Sequence, residues 1–209
     1  MNIPLRFINR SKDLGASEVV LFQRNVIPDF DELAIAWKVI RYCGHGCLHP
    51  FVYSTETEVS IGDDYGNYSP RLSADDGDCF TVSAHPTGRG RITRDPVPAH
   101  GPTGSDIEVA NRMRRGAVNV NAYSAGRLIA AKQAVAPGQK AVFRFTPMLW
   151  IAAVSQVQEG HALNSAVLSS ENTEFVLSGV TSADIVMTGG GGGAEAEPLR
   201  FALENVVRR

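Results

Sequence analysis

The sequence predicts an all-β protein, a jelly-roll-like sandwich of two antiparallel sheets with one short helix inserted near residues 106–115. The first observation behind this prediction is that apolar and polar residues alternate in many short segments, which is typical of half-buried strands. The second is that Gly, Pro, Asn and Ser separate these segments as turns. The third is the length of 209 residues, which suits one large all-β domain, so we expect a single domain over residues 1–209.

The amino-terminal part predicts two strands and one ambiguous segment. Residues 3–9 and 18–23 read as strands, and the short segment between them would let them pair as an opening hairpin. Residues 29–40 fit both a helical stripe and a strand. For that region we predict a strand over residues 33–42, after a short turn.

The carboxy-terminal half reads as a meander of antiparallel hairpins. Val118, Val120 and Ala122 alternate with polar residues, and the chain then turns and returns over residues 127–135. A Pro-Gly turn leads into the next strand, over residues 140–146. Further strands are predicted over residues 149–157, 162–168, 174–177, 184–188 and 199–206. The segment 199–207 also suits a short terminal helix.

The predicted helix depends on a capping pattern. Ser105 followed by Glu108 matches a capping box, in which the two side chains satisfy free amides at a helix start. Gly116 is a stop signal at the other end. These signals predict the helix over residues 106–115.

Two segments rich in glycine or proline predict irregular loops. The first covers residues 87–104, and the second covers residues 189–197 and begins with five consecutive glycines. Long loops on a rigid frame often carry binding function. We therefore expect these loops to contact a partner or ligand.

Composition excludes several classes of protein. The formal net charge of −2 argues against a general nucleic-acid or membrane-surface binder. No apolar run approaches the roughly 18 residues of a membrane span, and no signal peptide is visible. The cysteine count of 3 is odd and does not suggest a disulfide framework, so a cytoplasmic location is expected.

Four potential metal ligands alternate with other residues in one short segment: Cys43, His45, Cys47 and His49. Thiolate and imidazole suit zinc, iron or copper. The outer two would lie about 20 Å apart on a straight strand, so binding of one ion by all four needs a bend, which Gly44 and Gly46 could supply. The alternative is a glycine-rich loop with half-buried thiols and a histidine bonded to the backbone.

A loose resemblance extends the metal hypothesis. His45 and His49, with Glu56 or Glu58, resemble the two-histidine-plus-carboxylate arrangement of cupins and β-barrel oxygenases. The resemblance implies a metal-dependent enzyme. The chain departs from the cupin motif, since it has His-x-x-x-His where a cupin's first motif has His-x-His.

Three arginines in the first predicted loop form a candidate anion site: Arg89, Arg91 and Arg94. Guanidinium groups offer forked donors to carboxylate or phosphate. The alternative is a solvated surface on which the arginines pair with Asp95, Asp106 and Glu108.

No recognisable catalytic constellation accompanies these candidates. The sequence therefore predicts a non-enzymatic binding or self-assembling module that contacts a protein, a small-molecule ligand or further copies of itself. The second hypothesis is a metal-dependent enzyme centred on the Cys/His segment.

Overall fold

The computed structural model describes residues 1–13, 17–27, 32–86, 88–96, 104–164, 167–168 and 172–209. Strands make up 57% of the chain and helix 3%, so the all-β prediction is confirmed. The strands are β1 Asn2–Asn9, β2 Glu18–Phe22, β3 Glu32–Ala34, β4 Lys38–Ile40, β5 Leu48–Ser54, β6 Thr57–Gly62, β7 Leu72–Ala74, β8 Cys79–Ala84, β9 Gly90–Arg94, β10 Ile107–Asn111, β11 Val118–Ser124, β12 Arg127–Val135, β13 Lys140–Phe143, β14 Met148–Val154, β15 Thr173–Val176, β16 Val180–Gly190 and β17 Glu197–Arg208. No helical segment in the described part of the chain has the length and apolar character of a membrane span.

The chain forms two compact units. Unit 1 consists of Met1–Arg24, Ile35–Thr55 and Pro147–Arg209, and unit 2 consists of Asn25–Ala34 and Glu56–Thr146. The prediction of one domain over residues 1–209 stays a prediction, because compactness describes contacts in the folded chain and does not measure whether either unit folds alone.

Unit 1 contains two four-stranded sheets, with the orders β17-β16-β1-β5 and β15-β14-β2-β4. In β1, Ile3, Leu5 and Phe7 are at most 1% exposed, which is the alternation that the sequence predicts for residues 3–9. The strand pairs with β16 in parallel, so the sheet is mixed and the prediction of purely antiparallel sheets is corrected here.

The predicted opening hairpin is also corrected, because β1 and β2 lie in different sheets. The segment after β1 does not reverse. It continues beside β16, where the amide of Arg10 donates to the carbonyl of Met187 at 2.8 Å and the amide of Lys12 to that of Gly189 at 2.7 Å.

Unit 2 contains a five-stranded sheet, β3-β12-β11-β6-β7, and a four-stranded sheet, β13-β10-β8-β9. The hairpin of β11 and β12 confirms the predicted pairing, and β12 has the predicted bounds. The meander does not continue, because β13 joins the other sheet and pairs with β10. In that sheet β10 and β8 run parallel, which again departs from the antiparallel prediction.

The helix predicted over residues 106–115 is wrong, since Ile107–Asn111 forms strand β10. Ile107 and Val109 alternate as buried residues with a period of two, and both sides of the strand are paired. The acids at the predicted helix start bind basic residues in and directly after β13: Asp106 accepts from Arg144 Nε at 2.6 Å, and Glu108 accepts from Lys140 Nζ at 2.7 Å.

Three further predictions are resolved by the described residues. Residues 199–207 lie in strand β17. The single strand predicted over residues 33–42 is corrected to two short strands, β3 and β4, which belong to different sheets, while residues 28–31 lie outside the described residues. The described part of 162–168 contains an isolated bridge between Ala162 and Ile35 and helical residues at 167–168, so the strand predicted there is not formed in the described residues. The amide of Val167 donates to Oδ1 of Asn164 at 2.9 Å.

The predicted loops are shorter than expected. Within 87–104, residues 90–94 form β9, because the chain turns at Gly88 and pairs back onto β8; residues 87 and 97–103 lie outside the description. Within 189–197, β16 runs to Gly190, a single 3-10 turn covers Gly193–Glu195, and β17 begins at Glu197.

Candidate functional site

Unit 2 contains a cavity of about 480 Å³. Its walls come from β6 and β7 of the five-stranded sheet and from β9 of the four-stranded sheet. Its apolar lining residues include Ile61, Leu72, Ile92 and Val118. Its polar lining residues are Asp63, Asn67, Tyr68, Ser69, His85, Arg89 and Arg91.

The floor of the cavity is apolar. Ile61, Ile92 and Val118 are at most 7% exposed, and Leu72 is half-buried. Each comes from a strand whose alternation turns one side chain in two toward the interior of the unit. The cavity floor is therefore built by the same pattern that builds the core.

Two glycines make room at the cavity. A Cβ atom on Gly62 would lie 3.0 Å from Cε1 of Tyr68, and one on Gly90 would lie 3.0 Å from Cδ1 of Ile61. Both distances are shorter than ordinary van der Waals contact. Glycine inside a strand often marks such a close approach. The Tyr68 ring therefore lies directly against the backbone of β6.

A tight hairpin places Arg89 and Arg91 at the cavity. The amide of His85 donates to the carbonyl of Arg89 at 2.7 Å, and the amide of Gly88 donates to the carbonyl of His85 at 2.8 Å. Gly88 has a φ of +84°, which glycine adopts without strain. Among the residues that the structure describes, the exposed Arg91 guanidinium forms no hydrogen bond or ion pair.

The carboxylate of Asp63 is held within its own turn. It accepts from the side chain of Asn67 at 2.9 Å and from the backbone amides of Tyr65 and Asn67, each at 2.9 Å. The hydrogen bond from the Asn67 side chain contributes most to lowering the pKa of Asp63. The backbone hydrogen bonds and the charge of Arg89 lower it further. Asp63 is therefore ionised at neutral pH and partly balances Arg89.

Arg94 does not join the other two predicted anion-binding arginines. Its guanidinium forms an ion pair with Asp78 at 3.0 Å and lies over the Phe80 ring, 5.7 Å from the centroid. The structure thus brings Arg89 and Arg91 to one cavity. It gives Arg94 an internal ion pair, but with Asp78, which is not one of the acids that the alternative hypothesis names. Anion binding itself stays a prediction.

The segment with the predicted metal ligands is a turn in unit 1 pinned by Asn9. The amide of Cys47 donates to the carbonyl of Gly44 at 3.0 Å, closing the turn. The side chain of Asn9, only 1% exposed, donates to the carbonyl of Cys43 at 2.6 Å. His45 Nδ1 lies 2.7 Å from the carbonyl oxygen of Ser11.

The four predicted ligands differ in their surroundings. His45 and Cys47 are exposed, whereas Cys43 and His49 are half-buried. His49 pairs with the buried Phe7, which places its side chain on the inner face of the sheet. Burial, and then the neighbouring Cys47, raise the pKa of Cys43.

No group of three or more His, Cys, Asp or Glu side chains is placed to hold a metal ion in the described residues. Glu58, suggested as a further ligand, lies in unit 2 and is 3.7 Å from Arg71 in an ion pair. Glu56 also belongs to unit 2, whereas the histidines belong to unit 1. A zinc, iron or copper site at this segment stays a prediction.

Sequence reasoning missed most of the cavity. Tyr68 follows a polar turn and forms a β-bridge with Gly62, and no local pattern marks it as part of a site. Gly62 was the available signal, because a glycine within a strand often marks a close approach of another part of the chain. The partner in that approach could not be identified, since it depends on how the chain folds back on itself.

Comparisons of the chain with protein-family models, with curated proteins and with solved structures find no match. The fold and the cavity together define an all-β protein with a preformed cavity of small-molecule size.

Proposed function

We propose that this protein is a non-enzymatic binding module whose cavity in unit 2 takes up a small organic ligand. The observation that carries the proposal is the cavity itself. Its volume of about 480 Å³ falls in the range of small-molecule sites, roughly 300 to 1,000 Å³. An apolar floor with polar groups at the rim that can fix the orientation of a ligand is a composition found at such sites.

Binding is favoured over catalysis because the hydroxyl of Ser69 and the carboxylate of Asp63 are already engaged in local hydrogen bonds. Ser69 Oγ accepts from the amide of Ile61 at 3.0 Å and donates to the carbonyl of Pro70 at 3.0 Å. The oxygens of Asp63 accept from donors within its own turn. Neither group is poised to act as a nucleophile or a general base.

Ligand binding is also favoured over self-assembly. The long edge strand β17 carries Pro198 and charged residues, and its pairing with β16 is interrupted by register shifts. These features disfavour edge-to-edge pairing of sheets. The partner we propose is therefore a small molecule.

In this proposal, unit 2 has the two-sheet sandwich architecture that the sequence predicts. Both sheets of that unit contribute walls to the cavity. The cytoplasmic location belongs to the same proposal and rests on the cysteine count.

A fragment screen with a cavity-filling variant tests the proposal. Protein-observed NMR with a library of small organic fragments should show saturable shifts at residues around the cavity. Leu72→Trp should abolish them by filling the space. Val176→Trp is the matched control, because Val176 is 51% exposed in unit 1, and it should keep them.

Two results would overturn the proposal. One is that no fragment shifts the signals of Ile61, Ile92 or Tyr68 in the unmodified protein. The other is that Leu72→Trp folds, as shown by an unchanged circular dichroism spectrum, and still binds the same fragments. The shifts in the unmodified protein decide the outcome if Leu72→Trp does not fold.

A further inference from the structure

We propose that the ligand of this cavity is an amphipathic organic monoanion, an apolar body bearing one carboxylate, and that Arg91 binds the carboxylate. This inference rests on the proposed function of the cavity. It adds the chemical class of the ligand and the residue that selects it.

The charges at the cavity favour a single negative charge on the ligand. With histidine counted as neutral, Arg89 and Arg91 contribute +2 and Asp63 contributes −1, which leaves +1. The charge of Arg89 already acts on Asp63 and lowers its pKa. One carboxylate would balance the remaining charge, whereas a dianion would leave an excess of −1.

Arg91 is the cation at the cavity that we assign to that carboxylate. It lies on β9 at the cavity and is exposed. It has no hydrogen-bond or ion-pair partner within the described ranges. A guanidinium offers two parallel donors that match the two oxygens of a carboxylate. Arg94, the last residue of the same strand, is bound to Asp78 and is not available in this way.

The apolar part of the ligand follows from the rest of the wall. Ile61, Ile92 and Leu72 form the floor, and the ring of Tyr68 stands at the rim with 68% of its surface exposed. An exposed aromatic ring beside an apolar floor gains contact when a ligand body covers it. A purely polar anion such as inorganic phosphate would leave these surfaces uncovered.

Calorimetric titration with matched ligands tests the class. Hexanoate and hexanamide have the same apolar chain, and they differ in the charge of the head group. We expect hexanoate to bind at least about tenfold more tightly than hexanamide, as a charge-assisted pair with arginine would give. Within the series butyrate, hexanoate and octanoate, the affinity should rise by roughly fourfold per methylene until the cavity is filled.

Arg91→Gln should remove the preference for hexanoate over hexanamide while hexanamide binding stays the same. Arg114→Gln is the matched control, because it makes the same charge change at an exposed arginine that does not line the cavity. It should leave the preference intact.

Each contrary outcome has a distinct meaning. Equal affinity for hexanoate and hexanamide would show that the ligand need not be a monoanion. Competition by inorganic phosphate at a similar concentration would show that the ligand needs no apolar body. If none of these compounds binds while other fragments shift the cavity signals, the ligand class is wrong and the proposed function stands. If the fragments also fail, the proposed function falls with it.

Discussion

Asp184 is a carboxylate that is 2% exposed in β16 and that three donors hold in place. Arg6 donates from Nε at 2.7 Å and from Nη2 at 2.8 Å, and Asn205 donates from Nδ2 at 2.7 Å. The hydrogen bonds from Arg6, with further help from Asn205, lower the pKa of Asp184, although burial acts in the opposite direction. The ionised form is therefore the one that stabilises the fold.

We expect Asp184→Asn to lower the free energy of unfolding at pH 7 by about 2 kcal/mol, the usual loss for hydrogen bonds to a charged group. Because the folded pKa lies below the unfolded value of about 3.9, this stabilisation is present above that pH and is lost as the pH falls through the folded pKa. Urea denaturation at pH 7 and at pH 3 should therefore show a smaller deficit at pH 3.

Glu204→Gln is the control for this measurement. Glu204 pairs with Arg10 at 2.8 Å, but both side chains are largely exposed, at 42% and 50%. An exposed pair contributes at most about 1 kcal/mol. An Asp184→Asn deficit that is no larger than that of Glu204→Gln, or that does not change with pH, contradicts the argument.

The cysteines differ in reactivity for a related reason. The thiolate is the reactive form, and burial raises the pKa of both Cys43 and Cys79, whereas Cys47 is exposed. We expect iodoacetamide at pH 8 to alkylate Cys47 first, as followed by mass spectrometry.

Cys47→Ser gives this prediction an internal control. The charge of Cys47 raises the pKa of Cys43, so its removal should speed the alkylation of Cys43. The rate at Cys79 should not change, because its pKa is raised by burial and by Glu108 and Asp95 instead. Equal rates at Cys43 and Cys47 in the unmodified protein would show that burial does not govern these thiols.

At the scale of elements, the glycine run that begins in the last two residues of β16 contains one position that does not tolerate a side chain and one that does. A Cβ atom on Gly189 would lie 2.1 Å from the carbonyl oxygen of Pro198, and the residue has a φ of +86°. Gly192 has a φ of −125°, and a Cβ atom there would meet nothing within 4 Å. Five adjacent glycines therefore do not form a uniformly flexible loop.

Gly189→Ala should lower the free energy of unfolding by more than about 2 kcal/mol, since left-handed backbone strain of about 1 to 2 kcal/mol adds to a clash with backbone. Gly192→Ala should change it by less than about 0.5 kcal/mol. Thermal unfolding of the two variants provides the comparison. Similar melting temperatures for both would mean that the hairpin adjusts without cost.

Local patterns predicted the strands better than their partners. The alternation in residues 127–135 gave β12 with the observed bounds, because burial of one face acts within the strand itself. The next strand pairs with β10 instead of β12, and nothing in residues 136–139 distinguishes these outcomes. The segment of β10 likewise contains a capping box, which predicts a helix, and an alternation, which predicts a strand. The strand is the outcome, with the acids of the capping segment bound by the distant residues Lys140 and Arg144.

The candidate site shows the same division. Arginine type and spacing indicated an anion site, and the structure places Arg89 and Arg91 at the cavity. The apolar floor depends on β6, β7 and β9 meeting within unit 2, which no local window contains. Arg94 fits the alternating pattern of β9, but that pattern does not indicate its partner. The partner, Asp78, lies just before β8.

At the scale of the whole molecule, neither unit is a continuous stretch of chain. The chain passes from one unit to the other after residues 24, 34, 55 and 146. Strand β3, for example, comes from the short segment Asn25–Ala34 and pairs with β12 of the long segment. Losing the structure of one unit therefore releases the ends of segments that belong to the other.

This connectivity leads us to expect that the units unfold together, as the single-domain prediction requires. Gly189→Ala changes unit 1 alone, so its effect on unit 2 reports the coupling. Native-state hydrogen exchange followed by mass spectrometry should show the most protected amides of β8 and β11 losing as much protection as those of β1 and β16. Loss of protection in β1 and β16 with none in β8 and β11 would mean that unit 2 is a separate domain, since only an independently stable unit could keep its amides protected when the other opens.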